Sequence, residues 1–535
     1  MGGRMQPDYI VVGAGSAGCA VACRLVEGGA TVALLEAGPK DTSWRIHVPA
    51  ALRPLLKDPK VNWNYQAEPV ASTAGRPIAL PRGMVLGGSS SINGMLYVRG
   101  NAADFNGWAQ RGCTGWSYDD VLPLFRKSET YKQGGDEGYR GNSGPLQVED
   151  YRTILPLTHK FVEAAQQAGF PLTPDYNGGQ QEGVGYSQMT RRGRLRGSTA
   201  QTYLRAVRDN PKLQIITGAK AGPLLFEGRK CVGITYRQDG QDKELRPGRE
   251  IVLCGGAYNS PQLLQISGIG PAAHLQSIGV EVRHDLPGVG SNLADHFGAR
   301  LKHRVRGITM NQLSRFPHVV PEIAKFFLFG NGALTFGVTS AIVFCRSREG
   351  LASPDLQLSF TPATPVDMGQ GDLEKEPGIQ VTAIPVRAES RGTVMARSAS
   401  PDDAPAISPN YLGDENDVNV LVSGVEITRR ILAQPAMAAV SLGEYMPGPE
   451  VTSRDEIMQF TRETGGTIHH PVGTCKMGDD PAAVVDPRLK VHGFEGLRVA
   501  DASIMPTLTT GNTNAPTIMI GEKCAAMILE DQAAG

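Results

Sequence analysis

Residues Asp8 to Gly38, DYIVVGAGSAGCAVACRLVEGGATVALLEAG, constrain this chain more than any other stretch. They spell strand, tight turn, helix, turn and strand. Tyr9 to Val12 is uncharged and rich in β-branched residues, as a buried parallel strand should be. Gly13, Gly15 and Gly18 form G-x-G-x-x-G at its end. The first allows a tight turn, the second lets backbone approach a pyrophosphate, and the third lets the helix pack close on the sheet. Ala14, Ser16 and Ala17 complete the turn, where the first N–H groups of the helix face the phosphates. The helix runs through Ala20, Ala22, Leu25 and Val26 and stops at Gly28-Gly29. A second strand, Thr31 to Leu35, leads into Glu36 and Ala37, where an acidic side chain can bind an adenosine ribose. G-x-G-x-x-G alone is a weak sign. With strand, helix, second strand and acid in one unit, dinucleotide binding is favoured over a cofactor-free βαβ unit. The unit does not by itself separate NAD from FAD.

The 535 residues are too many for one core, so two or more domains are expected. Lys+Arg and Asp+Glu are both 53, so nothing points to a nucleic-acid partner. The N-terminus enters the first strand without room for a signal peptide, and no run of about 18 apolar residues suggests a spanning helix. The eight scattered cysteines lack a second ligand pair beside Cys19 and Cys23. No metal site is expected, and reduced cytoplasmic thiols are the plain reading.

Further along, Arg82 to Gly100, RGMVLGGSSSINGMLYVRG, has the glycines and small polar residues that let backbone lie against a flat ligand. A plain surface turn is the other reading. Asp119 to Lys127 and Pro156 to Ala168 read as amphipathic helices. Arg191 to Arg196, RRGRLR, is either a solvated charge run or a ligand contact. Ser198 caps a helix. Leu213 to Thr217, Gly233 to Tyr236 and Glu250 to Leu253 read as strands. A helix follows from Ser260-Pro261, with proline near its first position. From about 300 to 390, the runs AIVFCR, DLQLSF and QVTAIPV predict a separate antiparallel sheet. Val418 to Leu432 and Thr517 to Leu529 read as helices.

These stretches together resemble the glucose-methanol-choline oxidoreductase family of FAD flavoproteins. Its first signature resembles Gly83 to Gly100, centred on Leu86-Gly87-Gly88-Ser89-Ser90 and Asn93. Its second resembles GAYNSPQLLQISGIG, Gly256 to Gly270. Its C-terminal region resembles HPVGTCKMG, GLRVADASIMP and GNTNAPTIMIGEK. Met84 departs from the basic residue or Asn usual there. The resemblance implies an α/β fold, with an FAD-binding Rossmann-type domain interleaved with a smaller α+β substrate domain. The FAD domain would take 1–155, 191–300 and 461–535, and the substrate domain 156–190 and 301–460. It extends the cofactor contacts to Arg82, Gly94, Met95, Leu96, Ala221, Asp501, Ala502, Asn512 and Thr513, with Trp63 and Val85 as weaker candidates. Ile92 stands where covalent members carry a histidine, so FAD should be held non-covalently.

Flavin-dependent alcohol oxidation needs a base for the hydroxyl proton and a hydrogen-bonding group for the forming alkoxide. Histidine suits the first role, which is typically worth roughly 10²–10⁴-fold. His469-His470-Pro471 supplies two candidates, either of which could instead be a hydrogen-bonded loop residue. The resemblance assigns the base to His470 and the alkoxide partner to Asn514, with His469 as a pocket wall; no other histidine has comparable context. The implied activity is oxidation of a primary alcohol to an aldehyde, as a dehydrogenase or an oxygen-using oxidase. An NAD-linked reductase and a lyase-like flavoprotein without redox turnover are the competing readings. The dehydrogenase branch, and with it a quinone rather than oxygen as acceptor, fits the C-terminal strings better. A cationic alcohol would want a carboxylate or aromatic cage, and Glu322, Glu374 and Glu376 could all be surface residues. The apolar stretch Phe316 to Phe344 reads either as core or lid packing, which Glu322 and Lys325 favour, or as a peripheral contact with a membrane quinone pool. The localisation is then cytoplasmic or at the inner membrane face.

Overall fold

The structure, a computed structural model, describes residues 6–366 and 372–534. The first five residues, on which the absence of a signal peptide partly rested, lie outside them. A five-stranded parallel sheet gathers remote segments in the order Leu213–Thr217, Val32–Glu36, Tyr9–Val12, Glu250–Leu253, Leu497–Val499. Every residue of Tyr9–Val12 and Val32–Glu36 is buried, which is why neither strand alternates polar and apolar residues. Helix Ser16–Glu27 leaves the sheet at the glycine turn and packs on the C-terminal helix Asn514–Ala534. The contact is close because Gly521 has no side chain: a Cβ there would lie 2.6 Å from the Ala17 carbonyl oxygen. Beside it, fully buried Glu522 accepts hydrogen bonds from Arg24 and from the Tyr203 hydroxyl.

The second layer is a large antiparallel sheet, ordered Ser441–Met446, Phe297–Val305, Gly378–Pro385, Leu356–Thr361, Ala341–Cys345, Gly183–Tyr186. The three runs expected as strands between 300 and 390 all lie in it. Alternation sorts its two faces. Leu358, Val381 and Ala383 pack into one core with Val420, Ile427 and Ile431 of helix Glu415–Leu432. Arg300, Ser359 and Thr382, aligned across three strands, face the other way into a cavity. The fold is thus a Rossmann-type parallel sheet interleaved with a substrate layer built on an antiparallel sheet.

Two local expectations change. The RRGRLR run is neither solvated nor ligand-binding throughout. Arg191 is fully buried 3.1 Å from Glu149, and Arg196 donates to the Ile46 carbonyl and to the Asn93 carbonyl and side chain. The helix expected from Ser260-Pro261 spans Gly256–Ile266, with Pro261 in its interior. Proline there lacks the N–H that would bond the carbonyl four residues back. That carbonyl, on Ala257, instead accepts the Thr474 hydroxyl at 2.6 Å. Thr474→Val should strand a buried acceptor and cost about 1–3 kcal/mol. The measurement is the thermal midpoint, with Thr474→Ser expected to restore most of the loss.

Candidate active site

A cavity of about 820 Å³ runs between the two layers. One end is the glycine turn. Gly13, Gly15, Ser16 and Ala17 line it with Glu36, Ala37 and Ala221. Gly13 has φ +101°, and a Cβ there would meet the Cys254 carbonyl oxygen at 2.5 Å. Gly18 lies off the cavity, and its Cβ would strike the Gly13 carbonyl, so it serves helix packing. Glu36 accepts the N–H groups of Ala14 and Gly38, each at 2.9 Å. Burial nonetheless pushes its carboxyl up to about 7. Each oxygen keeps a lone pair for a ribose hydroxyl. Trp63 lines the wall near Ala221, stacked on Tyr65, with the Lys220 ammonium 5.7 Å from its ring centre.

The middle is formed by Gly88, Ser89, Ile92, Asn93, Gly94, Met95 and Leu96. Gly88 fits because a Cβ would lie 2.7 Å from Gly15 Cα. Besides Gly18 and Ala14, which is fully buried, two expected contacts are not made by cavity-lining residues. Val85 is fully buried in an apolar cluster with Ile46, Val61 and Ile92. Gly87 turns the chain at φ +88° and donates to the Ala14 carbonyl. Met84, the departure noted above, bonds through its backbone N–H to Val61.

The far end gathers the candidate histidines and asparagines. Asp501, Ala502, His469, His470, Asn512, Thr513 and Asn514 all line it. The expected pairing of His470 with Asn514 is not what the structure shows. Asn514 begins the C-terminal helix, and its side-chain oxygen accepts the Ser16 hydroxyl at 2.7 Å. Asn512, two residues earlier, puts its Nδ2 3.0 Å from His470 Nε2. A tight turn before the helix swings residue 512 towards the histidine and residue 514 towards the glycine turn.

His296 is the residue missed outright. Its Nε2 lies 3.1 Å from the Val386 carbonyl and its Nδ1 lies 2.9 Å from His470 Nδ1. The carbonyl can only accept, so His296 carries its proton on Nε2 and its Nδ1 is bare. His470 must then donate from Nδ1, which leaves its Nε2 bare and facing the Asn512 N–H donor. Burial, then His296, His469 and Arg82, hold the His470 pKa well below its ordinary value. Burial alone brings His296 to about 4, against the pull of Val386.

The backbone around the pair is fixed by buried Asp295. Its carboxylate accepts the His470 N–H at 2.7 Å and the hydroxyls of Tyr411 and Thr467 at 2.6 Å. Thr467 in turn accepts the His469 N–H, and Arg82 donates to the His469 carbonyl at 2.7 Å. These bonds hold His469 at φ +68°, a left-handed conformation that is strained for a non-glycine residue. The strain points His470, not His469, at Asn512. Burial, then Arg82 and Arg300, drives the His469 pKa down to about 3. Among the described residues no cluster of three or more His, Cys, Asp or Glu could hold a metal ion, and all eight cysteines are buried and unpaired.

The GMC oxidoreductase model matches residues 7–298 with its N-terminal part and 388–521 with its C-terminal part. Mitochondrial choline dehydrogenase of Homo sapiens is 44% identical over 98% of this chain and 90% of its own length. Alcohol dehydrogenase (acceptor) of Pseudomonas putida is 42% identical over 98% of this chain and 95% of its own. Among solved structures, pyridoxine 4-oxidase from Mesorbium loti superposes with a TM-score of 0.89 at 31% identity, covering 97% of this chain and 99% of that one. The two matched spans cover most of the chain, the glycine turn and the His470 segment among them, and this chain belongs to the GMC oxidoreductase family.

Proposed function

We propose that the protein oxidises a primary alcohol to the aldehyde, with FAD held non-covalently and His470 as the base. The observation that carries the reading is the bare Nε2 of His470, set opposite the Asn512 N–H donor in the same cavity as the dinucleotide cradle. The donor set fits FAD. The first turn of helix Ser16–Glu27 would take the pyrophosphate, Glu36 the ribose, and Ala221 the adenine side. Asn93 to Leu96, Asp501, Ala502 and Thr513 would lie along the flavin ring. When bound, FAD supplies the acceptor for the hydride leaving the alcohol carbon.

The chain's own residues handle the proton. The substrate hydroxyl donates to His470 Nε2, while His470 Nδ1–H stays bonded to His296. Asn512 then donates to the oxygen as charge builds on it. Asn514 is not assigned this role, since its side-chain oxygen already accepts from Ser16. The domain limits given above remain part of this reading.

The carboxylates weighed for a cationic alcohol are engaged elsewhere, so the substrate is read as an uncharged alcohol. Glu374 is bonded to Lys302 and Tyr445, and Glu322 to Lys325 and the Ala333 N–H. The described carboxylates lining the cavity are Glu36 at the glycine turn, Asp501 at the far end, both bonded to protein groups, and exposed Asp372. The acceptor is read as a quinone rather than oxygen, on the likeness to the alcohol dehydrogenase (acceptor) of Pseudomonas putida, although Brucella relatives of equal identity are named oxygen-dependent choline dehydrogenases. Mixing substrate-reduced enzyme with air or with a soluble quinone decides this; equal rates with stoichiometric peroxide would make it an oxidase.

Three outcomes test the site. His470→Ala should slow flavin bleaching by alcohol by about 10²–10⁴-fold with the yellow colour retained. Asn512→Ala should cost about 10²-fold, the loss of one donor to a developing charge, and Asn514→Ala less; the reverse order would restore Asn514 as the alkoxide partner. The second outcome concerns pH. His470 is neutral above its folded pKa, which lies below 6.5. Bleaching rates should stay level from neutrality down to that value and fall only beneath it, as the base becomes protonated. The third is non-covalent attachment: acid precipitation should leave the colour in the supernatant, because cavity residue 92 is an isoleucine.

A further inference from the structure

Helix Val319–Phe329 is built inside out. Its buried residues are Glu322 and Phe326, four apart on one face. Val320, Ile323, Phe327 and Leu328 lie on the opposite face at helical spacing, and all are exposed. Phe327, Leu328 and Phe329 are 62%, 73% and 71% exposed, and Phe316 just before the helix is 84% exposed. A helix folded as core or lid would turn these rings inward. Water contact with so many large apolar groups on one short helix marks an interaction surface.

The helix is held firmly in this orientation. Glu322 accepts Lys325 Nζ and the Ala333 N–H, each at 2.6 Å. Arg194 donates to the Phe327 carbonyl at 2.7 Å, and its guanidinium lies 5.5 Å from the ring centres of Phe326 and Phe327. Gly330 ends the helix at φ +67°. The outward face is therefore fixed by polar bonds at both ends of the buried stripe.

Charge selects the occupant. Between residues 306 and 329 the exposed basic side chains are Arg306, Arg315, His318 and Lys325; Lys325 pairs with Glu322, the single acid of that span, and Arg315 donates to the Leu373 carbonyl next to exposed Asp372. The whole chain is neutral, with 53 acidic and 53 basic residues, so this span carries a local excess of basic groups. An apolar face fringed by cations matches an anionic lipid surface, where rings enter the acyl boundary and basic groups meet headgroups. The 11-residue helix is roughly 16 Å long, about half the hydrocarbon core, so it would lie in the interface. No described helix is long and apolar enough to cross a membrane.

We propose that Phe316 and the outward face of helix Val319–Phe329 dock the protein on an anionic bilayer. Met310, Ser314 and Arg315, which lead into the helix, line the active-site cavity. Docking would then place the cavity mouth at the lipid surface, where an apolar alcohol and a quinone are concentrated. The inference extends the alcohol-oxidising reading, but its test does not depend on turnover.

The test is flotation of the full chain with vesicles of equal parts phosphatidylglycerol and phosphatidylcholine, against phosphatidylcholine alone. Wild type should float with the mixed vesicles and far less with the neutral ones. Combining Phe316→Ser, Phe327→Ser and Leu328→Ser should weaken this partition by roughly 100-fold, with bleaching by a soluble alcohol unchanged as a check on folding. In an otherwise native chain, Phe327→Trp should gain blue-shifted emission when mixed vesicles are added. Wild type that stays unbound, or a triple variant that floats equally well, would overturn the proposal. So would a wild-type dimer in solution that the triple variant abolishes, since a second copy would then cover the face.

Discussion

The catalytic end is held in place by a carboxylate with no proposed part in proton transfer. Asp501 follows strand Leu497–Val499 and lies at the start of helix Gly256–Ile266. One oxygen accepts the Gly256 N–H at 2.8 Å and the Ser260 hydroxyl at 2.6 Å; the other accepts the Ser503 N–H at 2.8 Å. A buried carboxylate is tolerable only with such bonds, and the helix N-terminus adds a favourable dipole. The link propagates. With 502–504 fixed, the segment after His470 runs alongside it, Gly473, Cys475 and Met477 donating to Ala502, Ser503 and Ile504. Thr474 from the same segment closes the carbonyl opened by Pro261. His470 therefore inherits its position from two strand ends of the parallel sheet, 250–253 and 497–499.

The electrostatics around the base have a single theme, neutrality. His296, His469 and His470 are all buried strongly enough to favour the uncharged ring, and Arg82 reinforces the effect on the last two. A low pKa makes His470 a weaker base but guarantees its lone pair near neutral pH. The same exclusion of water strengthens the Asn512 hydrogen bond to any charge forming on the substrate. His296 matters because two neutral imidazoles in contact must agree on one proton arrangement. Val386 settles it from the far side, by accepting from His296.

What the sequence made legible follows from the range of each interaction. The glycine turn, Glu36 and the strands at 213–217 and 250–253 are local features, set by backbone freedom and short apolar runs, and they are found where expected. Asn512 was included only as a cofactor contact, because two asparagines two residues apart carry the same chemistry. Only the turn before the C-terminal helix decides which faces the histidine. His296 meets His470 across 174 residues, and no spacing rule reaches that far. Pro261 looked like a helix start because the hydroxyl that rescues its position lies more than 200 residues away. For the stretch that holds helix Val319–Phe329 the sequence left core or lid packing and a peripheral membrane contact both open, with Glu322 and Lys325 favouring packing. Glu322 is buried and pairs with exposed Lys325 at the helix flank, and the hydrophobic pattern gave the period but not the direction.

The position of Asn514 has its own meaning. Ser16 and Asn514 are the first residues of the helices Ser16–Glu27 and Asn514–Ala534, and the 2.7 Å bond between their side chains joins the two N-termini at the cavity wall. Each N-terminus carries roughly half a positive charge. Parallel dipoles side by side repel, so the arrangement needs a compensating negative group between or in front of them. The 21-residue and 12-residue helices are held together along their length by the glycine contact at residue 521 and by Arg24 with Glu522, which offsets that repulsion. One N-terminus suits a diphosphate. The other would favour negative charge on a cofactor bound in the cavity. On the proposed reading the two asparagines would divide the work: Asn512, beside His470, would donate to the substrate oxygen, while Asn514 holds the two N-termini together at the cavity wall.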